Sequence, residues 1–169
     1  LHVLLDEVIN PHRDLDVHFA VSILAGEPEA TEPEIWRRPE ILYGLGNFIE
    51  NAADFAKSEV ALIVVYTSRK IMLSIIDDGP GFSPDVIEKI GEPYVTTRPR
   101  SARGGHADDE PEAEHEGMGL GFFIAKTLLE RTKAKVEIAH RQDGKMGAQV
   151  TVTWPRDAIE ADSAFPLKA

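Results

Sequence analysis

Two asparagines four residues apart, Asn47 and Asn51, stand in a segment whose apolar residues recur at helical spacing. Residues four apart lie on one face of a helix, so the two amides are expected to point the same way. Amides can offer carbonyl oxygens, and Mg²⁺ prefers oxygen ligands that it often shares with phosphates. The pair therefore predicts a magnesium site, although the polar side of a surface helix is the commoner meaning of such a pattern.

A second cluster is Asp77 with Gly79 and Gly81, which directly follows an apolar stretch. An ionised aspartate only accepts hydrogen bonds, so at a strand end it can accept one from the exocyclic amine of adenine. Guanine has no amine at that position, and such a contact would select ATP. The glycines allow a close backbone approach or a positive φ. The alternative is an ordinary tight turn.

Three glycines, Gly117, Gly119 and Gly121, alternate just before another segment of helical periodicity, with Leu120 between the last two. Free N–H groups at the start of a helix bind phosphate. The spacing matches neither the dinucleotide-binding fingerprint nor the Walker A loop. A flexible hinge at the end of a loop is the alternative interpretation.

Apolar periodicity predicts the elements that position these clusters. We expect helices at 1–8, 39–55, 84–90 and 117–131, and strands at 16–24, 59–67, 70–76, 135–140 and 148–154. The two central strands are apolar on both faces, so a layer of helices should cover one face. Trp36 and Trp154 are expected in the core. Residues 92–116 show no periodicity, and loops of that length are usually functional or disordered.

Composition limits the possible functions. The chain has 169 residues, no cysteine and a net charge of −11, from 18 basic and 29 acidic residues. Its length suggests one domain, expected at 1–155, with a weakly patterned and mobile tail at 156–169. Thiol chemistry is impossible here, and the acidic balance argues against nucleic-acid binding. The first residue is Leu1 rather than Met, which predicts a fragment of a longer protein.

The order of the clusters is more specific than any one of them. It resembles the GHKL-type ATP-binding domain shared by histidine kinases, gyrase, Hsp90 and MutL. The matching segments are an asparagine box at 47–52, a first glycine box at 77–82, an aromatic box at 92–98 that opens an ATP lid at about 92–116, and a second glycine box at 117–121. The aromatic box and the short lid resemble the histidine-kinase branch. Residues 41–47 and 11–13 are most similar to RegB/PrrB/ActS-type redox-sensor kinases.

The resemblance implies a two-layer α/β sandwich of the Bergerat type, with a mixed, mostly antiparallel sheet covered on one face by helices. It implies ATP and Mg²⁺ as cofactors. Asp77 would bind adenine, and Asn47 and Asn51 would hold Mg²⁺ against the phosphates as the catalytic pair. The remaining nucleotide contacts would come from the glycine boxes and the lid, at Gly79, Gly81, Tyr94, Thr97, Arg98, Gly117, Gly119, Leu120 and Gly121.

The implied activity is that of a protein-histidine kinase, which donates the γ-phosphate to a histidine on a dimerisation domain. None of the six histidines here stands in the phosphoacceptor pattern, so the acceptor is expected outside this chain. The expected partners are the dimerisation helices of the same full-length protein and a response regulator, with no nucleic acid and no direct membrane contact. The expected location is the cytoplasmic side of a membrane-anchored sensor kinase.

Two positions depart from the family pattern. Gyrase-like relatives carry a water-activating glutamate four residues before the magnesium asparagine, where this chain has Asn47. That difference favours a kinase over a hydrolase. Asp54 stands where many histidine kinases carry a cation, so Lys57 or Arg98 would have to serve the phosphates. The alternatives are a gyrase/Hsp90-like ATPase switch and a degenerate interaction module that binds no nucleotide.

Overall fold

The computed structural model describes residues 1–13, 16–82 and 120–161, with the backbone alone at Leu120. The helix expected at 84–90, the aromatic box and the lid lie outside these residues. In the described part the helices are α1 (His2–Ile9), α2 (Pro39–Phe55), α3 (Leu120–Arg131) and α4 (Arg156–Ile159), and a 3₁₀ turn spans Asn10–His12. The strands are β1 (His18–Ala25), β2 (Glu59–Tyr66), β3 (Lys70–Asp77), β4 (Lys135–His140) and β5 (Ala148–Pro155).

The strands form one sheet in the order β1-β2-β3-β5-β4. The β1 strand pairs with β2 in parallel, and every other neighbouring pair is antiparallel. The β2 and β3 strands form a hairpin whose turn holds Ser68 and Arg69. The predicted mixed, mostly antiparallel sheet is therefore confirmed.

Helices cover the face of the sheet to which every second residue of β2 and β5 points. Val60, Leu62 and Val64 on β2 are at most 1% exposed, and they join one core cluster with Ile41, Leu45, Phe48 and Ile49 of α2. Phe48 packs on Phe122 of α3 with ring centroids 4.7 Å apart, a favourable aromatic distance. The core thus packs α2 against both the sheet and α3.

The β1 strand is only partly buried. Phe19 and Ile23 are only half-buried, and Val21 is 44% exposed. The reason is its place at the edge of the sheet, since it has a single neighbouring strand.

Trp36 was expected in the core, and this prediction is wrong because the residue is 48% exposed. Ile35 forms a β-bridge with Glu160, and Trp36 N–H donates to the carbonyl of Ile159. In such an extended segment neighbouring side chains point to opposite sides, so the half-buried Ile35 takes the inner place. Trp154 is 2% exposed and confirms its prediction.

The predicted tail also needs correction at its start. Residues 156–161 are folded: Ile159 is 1% exposed, and Ala161 N–H donates to the carbonyl of Glu34. The pattern was too short to reveal α4, which has only four residues. No helix in the described ranges is long and apolar enough to cross a membrane.

Candidate functional site

Asn47 and Asn51 lie on α2, which begins at Pro39, a residue favoured at the first helical position. The Nδ2 of Asn47 donates to the carbonyl of Tyr43 over 3.1 Å, and the Nδ2 of Asn51 donates to the carbonyl of Asn47 over 2.6 Å. Both amide nitrogens are thus held by the helix backbone one turn earlier. The carbonyl oxygen of each side chain is then the atom left to meet a ligand, which is the atom that a metal ion needs.

The start of α3 lies against Asn47. A Cβ atom added to Gly121 would come within 2.9 Å of Asn47 Oδ1, closer than side-chain carbons normally approach. The structure therefore places Gly121, the last residue of the second glycine box, next to Asn47 of the asparagine box. Leu120 is the first residue of α3.

Asp77 ends β3 and is 4% exposed. Its Oδ1 accepts hydrogen bonds from Gly79 N–H at 2.9 Å and from Ala148 N–H at 3.2 Å. Burial raises the pKa of the Asp77 carboxyl, the two N–H donors offset part of this, and the nearby charge of Asp78 raises the pKa further. The result is a raised pKa for a carboxylate held firmly by the backbone.

The glycines near Asp77 are required by close backbone packing. A Cβ on Gly79 would lie 2.2 Å from the carbonyl oxygen of Phe55, the last residue of α2. A Cβ on Gly147 would lie 2.0 Å from the carbonyl oxygen of Asp77, and one on Gly81 would lie 2.9 Å from the carbonyl oxygen of Gly147. Gly81 also has a positive φ of 74°, which disfavours other residues. Close packing within the protein thus explains why glycine stands at these positions. The sequence alone could not distinguish this cause from the close approach of a ligand.

Helix α2 connects the two clusters. Its last carbonyl, that of Phe55, lies against Gly79, and Asn47 lies against Gly121. Eight residues separate Asn47 from Phe55, which is about 12 Å along the axis. The first glycine box thus lies at the end of α2, and the start of α3 lies about two turns earlier.

Two site residues were not singled out from the sequence. The Asp78 carboxylate accepts hydrogen bonds from the turn after α2, and Arg141 donates through an Nη to the carbonyl of Asp77 at 3.4 Å. The Nε of Arg141 also bonds both carboxylate oxygens of Asp143 at 2.9 Å. The only available signal was the doubled aspartate at 77–78, since Arg141 has no motif.

Several predicted site residues lie outside the described part of the chain, namely Tyr94, Thr97, Arg98, Gly117 and Gly119. Their roles remain predictions. Within 1–13, 16–82 and 120–161, no cluster of three or more His, Cys, Asp or Glu side chains has the arrangement of a metal site.

Comparison with known families agrees with this arrangement. Residues 39–158 match the family described as "Histidine kinase-, DNA gyrase B-, and HSP90-like ATPase", and the chain belongs to that family. The sensor histidine kinase RegB of Cereibacter sphaeroides is 39% identical over 97% of this chain and 37% of its own length. The sensor protein kinase CarS of Pseudomonas aeruginosa is 32% identical over 71% of this chain and 23% of its own. The predicted family and the similarity to RegB-type kinases are confirmed.

Solved structures show the same fold. The mycobacterial sensor histidine kinase MprB superposes with a TM-score of 0.65 at 17% identity, over 91% of this chain and 92% of that one. The catalytic domain of the histidine kinase ThkA gives 0.66 at 20% identity, over 92% of each chain. The predicted two-layer α/β sandwich is therefore confirmed.

Proposed function

We propose that this domain binds ATP with Mg²⁺ and donates the γ-phosphate to a histidine outside this chain, as the catalytic domain of a sensor histidine kinase. The observation that carries the proposal is that Gly79 of the first glycine box and Gly121 of the second both pack against α2. Asp77 and Gly79 lie at its end, and Gly121 lies against Asn47 about two turns earlier. An elongated ligand with an apolar, amine-bearing end and an anionic end fits such an arrangement.

At the adenine end, Asp77 is the acceptor that we assign to the exocyclic amine. Gly79 and Ala148 hold its Oδ1, so the carboxylate cannot rotate freely. A fixed acceptor in a buried place discriminates well, because a ligand without the matching donor leaves it unsatisfied. Adenine would therefore be preferred over guanine.

At the phosphate end, the start of α3 offers N–H groups and the positive end of the helix dipole. The amide oxygens of Asn47 and Asn51 fit Mg²⁺ by their donor chemistry, and the ion would neutralise charge on the phosphates. Phosphoryl transfer depends mainly on such positioning and neutralisation. Tyr94, Thr97, Arg98, Gly117 and Gly119 would complete the site from the lid side.

A kinase is favoured over a hydrolase by Asn47 itself. A carboxamide has no basic oxygen that could take a proton from water at neutral pH. The relatives RegB and CarS are both named as kinases. We accordingly assign a dimerisation and phosphoacceptor domain and a response regulator as partners, and a cytoplasmic place within a membrane-anchored kinase.

Calorimetric titration with Mg²⁺ and a non-hydrolysable ATP analogue tests the adenine end. We expect Asp77→Asn to weaken binding by about tenfold or more, because an amide NH₂ can face the adenine amine in place of an acceptor. Asp157→Asn, an exposed aspartate on α4, is the matched control and should bind like wild type. Equal affinity of Asp77→Asn and wild type would remove Asp77 from the site.

The same titration with Gly121→Ala tests the phosphate end. The new methyl group would displace the amide of Asn47, which is the movable end of a side chain, so the fold should tolerate it. We expect weaker Mg²⁺-dependent binding with little change in the free energy of unfolding. Multiple-turnover release of inorganic phosphate by the wild-type domain would instead support the ATPase alternative.

A further inference from the structure

The carboxylate of Asp78 joins the end of β3 to the turn between α2 and β2. Its Oδ1 accepts from the N–H groups of Lys57, Ser58 and Glu59, at 2.7, 3.0 and 3.2 Å. Its Oδ2 accepts from Ser58 Oγ at 2.6 Å. Three consecutive backbone N–H groups that converge on one oxygen form an anion-binding concavity, and here a side chain of the protein occupies it.

The turn that Asp78 binds begins directly after Phe55, whose carbonyl oxygen packs against Gly79. Gly79 in turn donates its N–H to Asp77 Oδ1. The carboxylate of Asp78 therefore holds the two backbone segments whose contact places Gly79, and Gly79 helps to orient Asp77. Charge-assisted bonds of this kind are stronger than neutral ones, so the clamp is expected to be stiff.

We propose that Asp78 is a positioning residue of the nucleotide site, which clamps the end of β3 to the turn after α2 and thereby orients the Asp77 carboxylate toward adenine. The inference rests on the proposed ATP-binding function. It assigns no contact between Asp78 and the nucleotide. It explains why two aspartates stand side by side, one directed to the ligand and one to the protein backbone.

Amide hydrogen exchange of the nucleotide-free domain tests the positioning itself. In Asp78→Ala the N–H groups of Gly79 and Ala148, which bind Asp77, should exchange about tenfold faster or more relative to the amides at the centre of β3. Asp78→Asn keeps an acceptor oxygen for the three backbone N–H groups and should preserve most of this protection. Ile159→Ala, at the buried last residue of α4, is the control for a general loss of stability.

The proposal fails if Gly79 and Ala148 in Asp78→Ala keep their protection, or lose it only in step with the rest of the sheet as in Ile159→Ala. This measurement needs no ligand, so it decides the positioning role whether or not the domain binds ATP.

Titration with Mg²⁺ and the ATP analogue then tests the consequence for binding. We expect Asp78→Ala to lose about tenfold in affinity, Asp78→Asn to stay within about threefold of wild type, and Ile159→Ala to bind normally at a temperature where it is folded. Wild-type affinity in Asp78→Ala would overturn the assigned consequence. Absence of binding by the wild type would overturn the proposed function instead.

Discussion

Adjacent carboxylates at 77 and 78 lie in opposite environments. Burial dominates at Asp77 and raises its pKa above the ordinary 3.8. At Asp78 desolvation also raises the pKa, but the hydrogen bonds from Ser58, Glu59 and Lys57 together outweigh it and leave the pKa well below 3.8. One sequence motif therefore contains a carboxylate whose charge costs stability and a carboxylate whose charge adds to it.

These shifts predict opposite pH dependences for two variants. The stability linked to Asp77 is fully present below pH 3.8 and is lost as the pH rises through its raised folded pKa. The stability linked to Asp78 is present above pH 3.8 and is lost as the pH falls toward its lowered folded pKa. Urea unfolding at a series of acidic pH values measures this. As the pH rises, the free energy of unfolding of Asp77→Asn should increase relative to wild type, and that of Asp78→Asn should decrease relative to wild type. Parallel curves for both variants would contradict the assignment.

The sequence was sufficient to propose some residues of the site and insufficient for others. Asp77, Asn47, Asn51 and Gly121 were proposed from their types and spacing together with the order of their clusters, and the structure places Gly121 beside Asn47 and Gly79 beside Asp77. Asp78 and Arg141 were missed because their partners, Ser58 and the carbonyl of Asp77, are 20 and 64 residues away in sequence. Only the folded chain makes those pairs neighbours.

Among the elements, α2 performs two tasks with different faces. Its apolar face packs on the sheet and α3, whereas its polar face carries Asn47 and Asn51. The approach of α3 depends on Gly44, where an added Cβ would lie 2.6 Å from Leu129 Cγ. Gly46, two residues further along, has nothing within 4 Å of the same position. Both glycines are therefore helical, but a side chain at Gly44 would clash with α3, whereas one at Gly46 would meet no other atom.

The two glycines give a matched test of this packing. Gly46→Ala should raise the free energy of unfolding by about 0.5–1 kcal/mol, because alanine favours a helix interior over glycine. Gly44→Ala should lower it by about 1–3 kcal/mol, because the methyl group would push α3 away from α2. Chemical denaturation of both variants measures the difference. If Gly44→Ala were as stabilising as Gly46→Ala, the close contact between α2 and α3 would be refuted.

Element prediction succeeded where a pattern was long and failed where context decided. The periodicity of α2 and the alternation of β5 are both strong, and their predicted bounds agree with the structure to within a residue. The exposure of Trp36 and of Val21 follows from a bridge to Glu160 and from an edge position, neither of which is written in the local sequence. The four residues of α4 are too few to show periodicity.

At the scale of the whole molecule, the proposed site and the bonds of Arg156 lie at opposite ends of the sheet. Asp77 and Lys70 are the two ends of β3, about 23 Å apart for a strand of eight residues. Lys70 pairs with Pro155, and α4 follows directly at that end. There Arg156 bonds Glu160 at 2.6 and 2.8 Å and donates to the carbonyls of Thr31 and Thr67.

This separation predicts that Arg156→Ala reduces stability without reducing nucleotide affinity. The change removes bonds that join the segment around Thr31, the hairpin turn at Thr67 and α4, and it leaves Glu160 without its cation. We expect the free energy of unfolding to fall by about 2–3 kcal/mol, since these bonds are charge-assisted and the Arg156 side chain is only 11% exposed. Affinity for the ATP analogue, measured well below the unfolding temperature, should stay within about twofold of wild type, because no bond within 1–13, 16–82 and 120–161 joins Arg156 to the site. Arg156→Lys keeps the charge but lacks the forked geometry of the guanidinium, so its free energy of unfolding should lie between those of wild type and Arg156→Ala. A parallel loss of affinity in both variants would show that the two ends of the sheet are coupled, and the site could then no longer be treated as independent of the hairpin end.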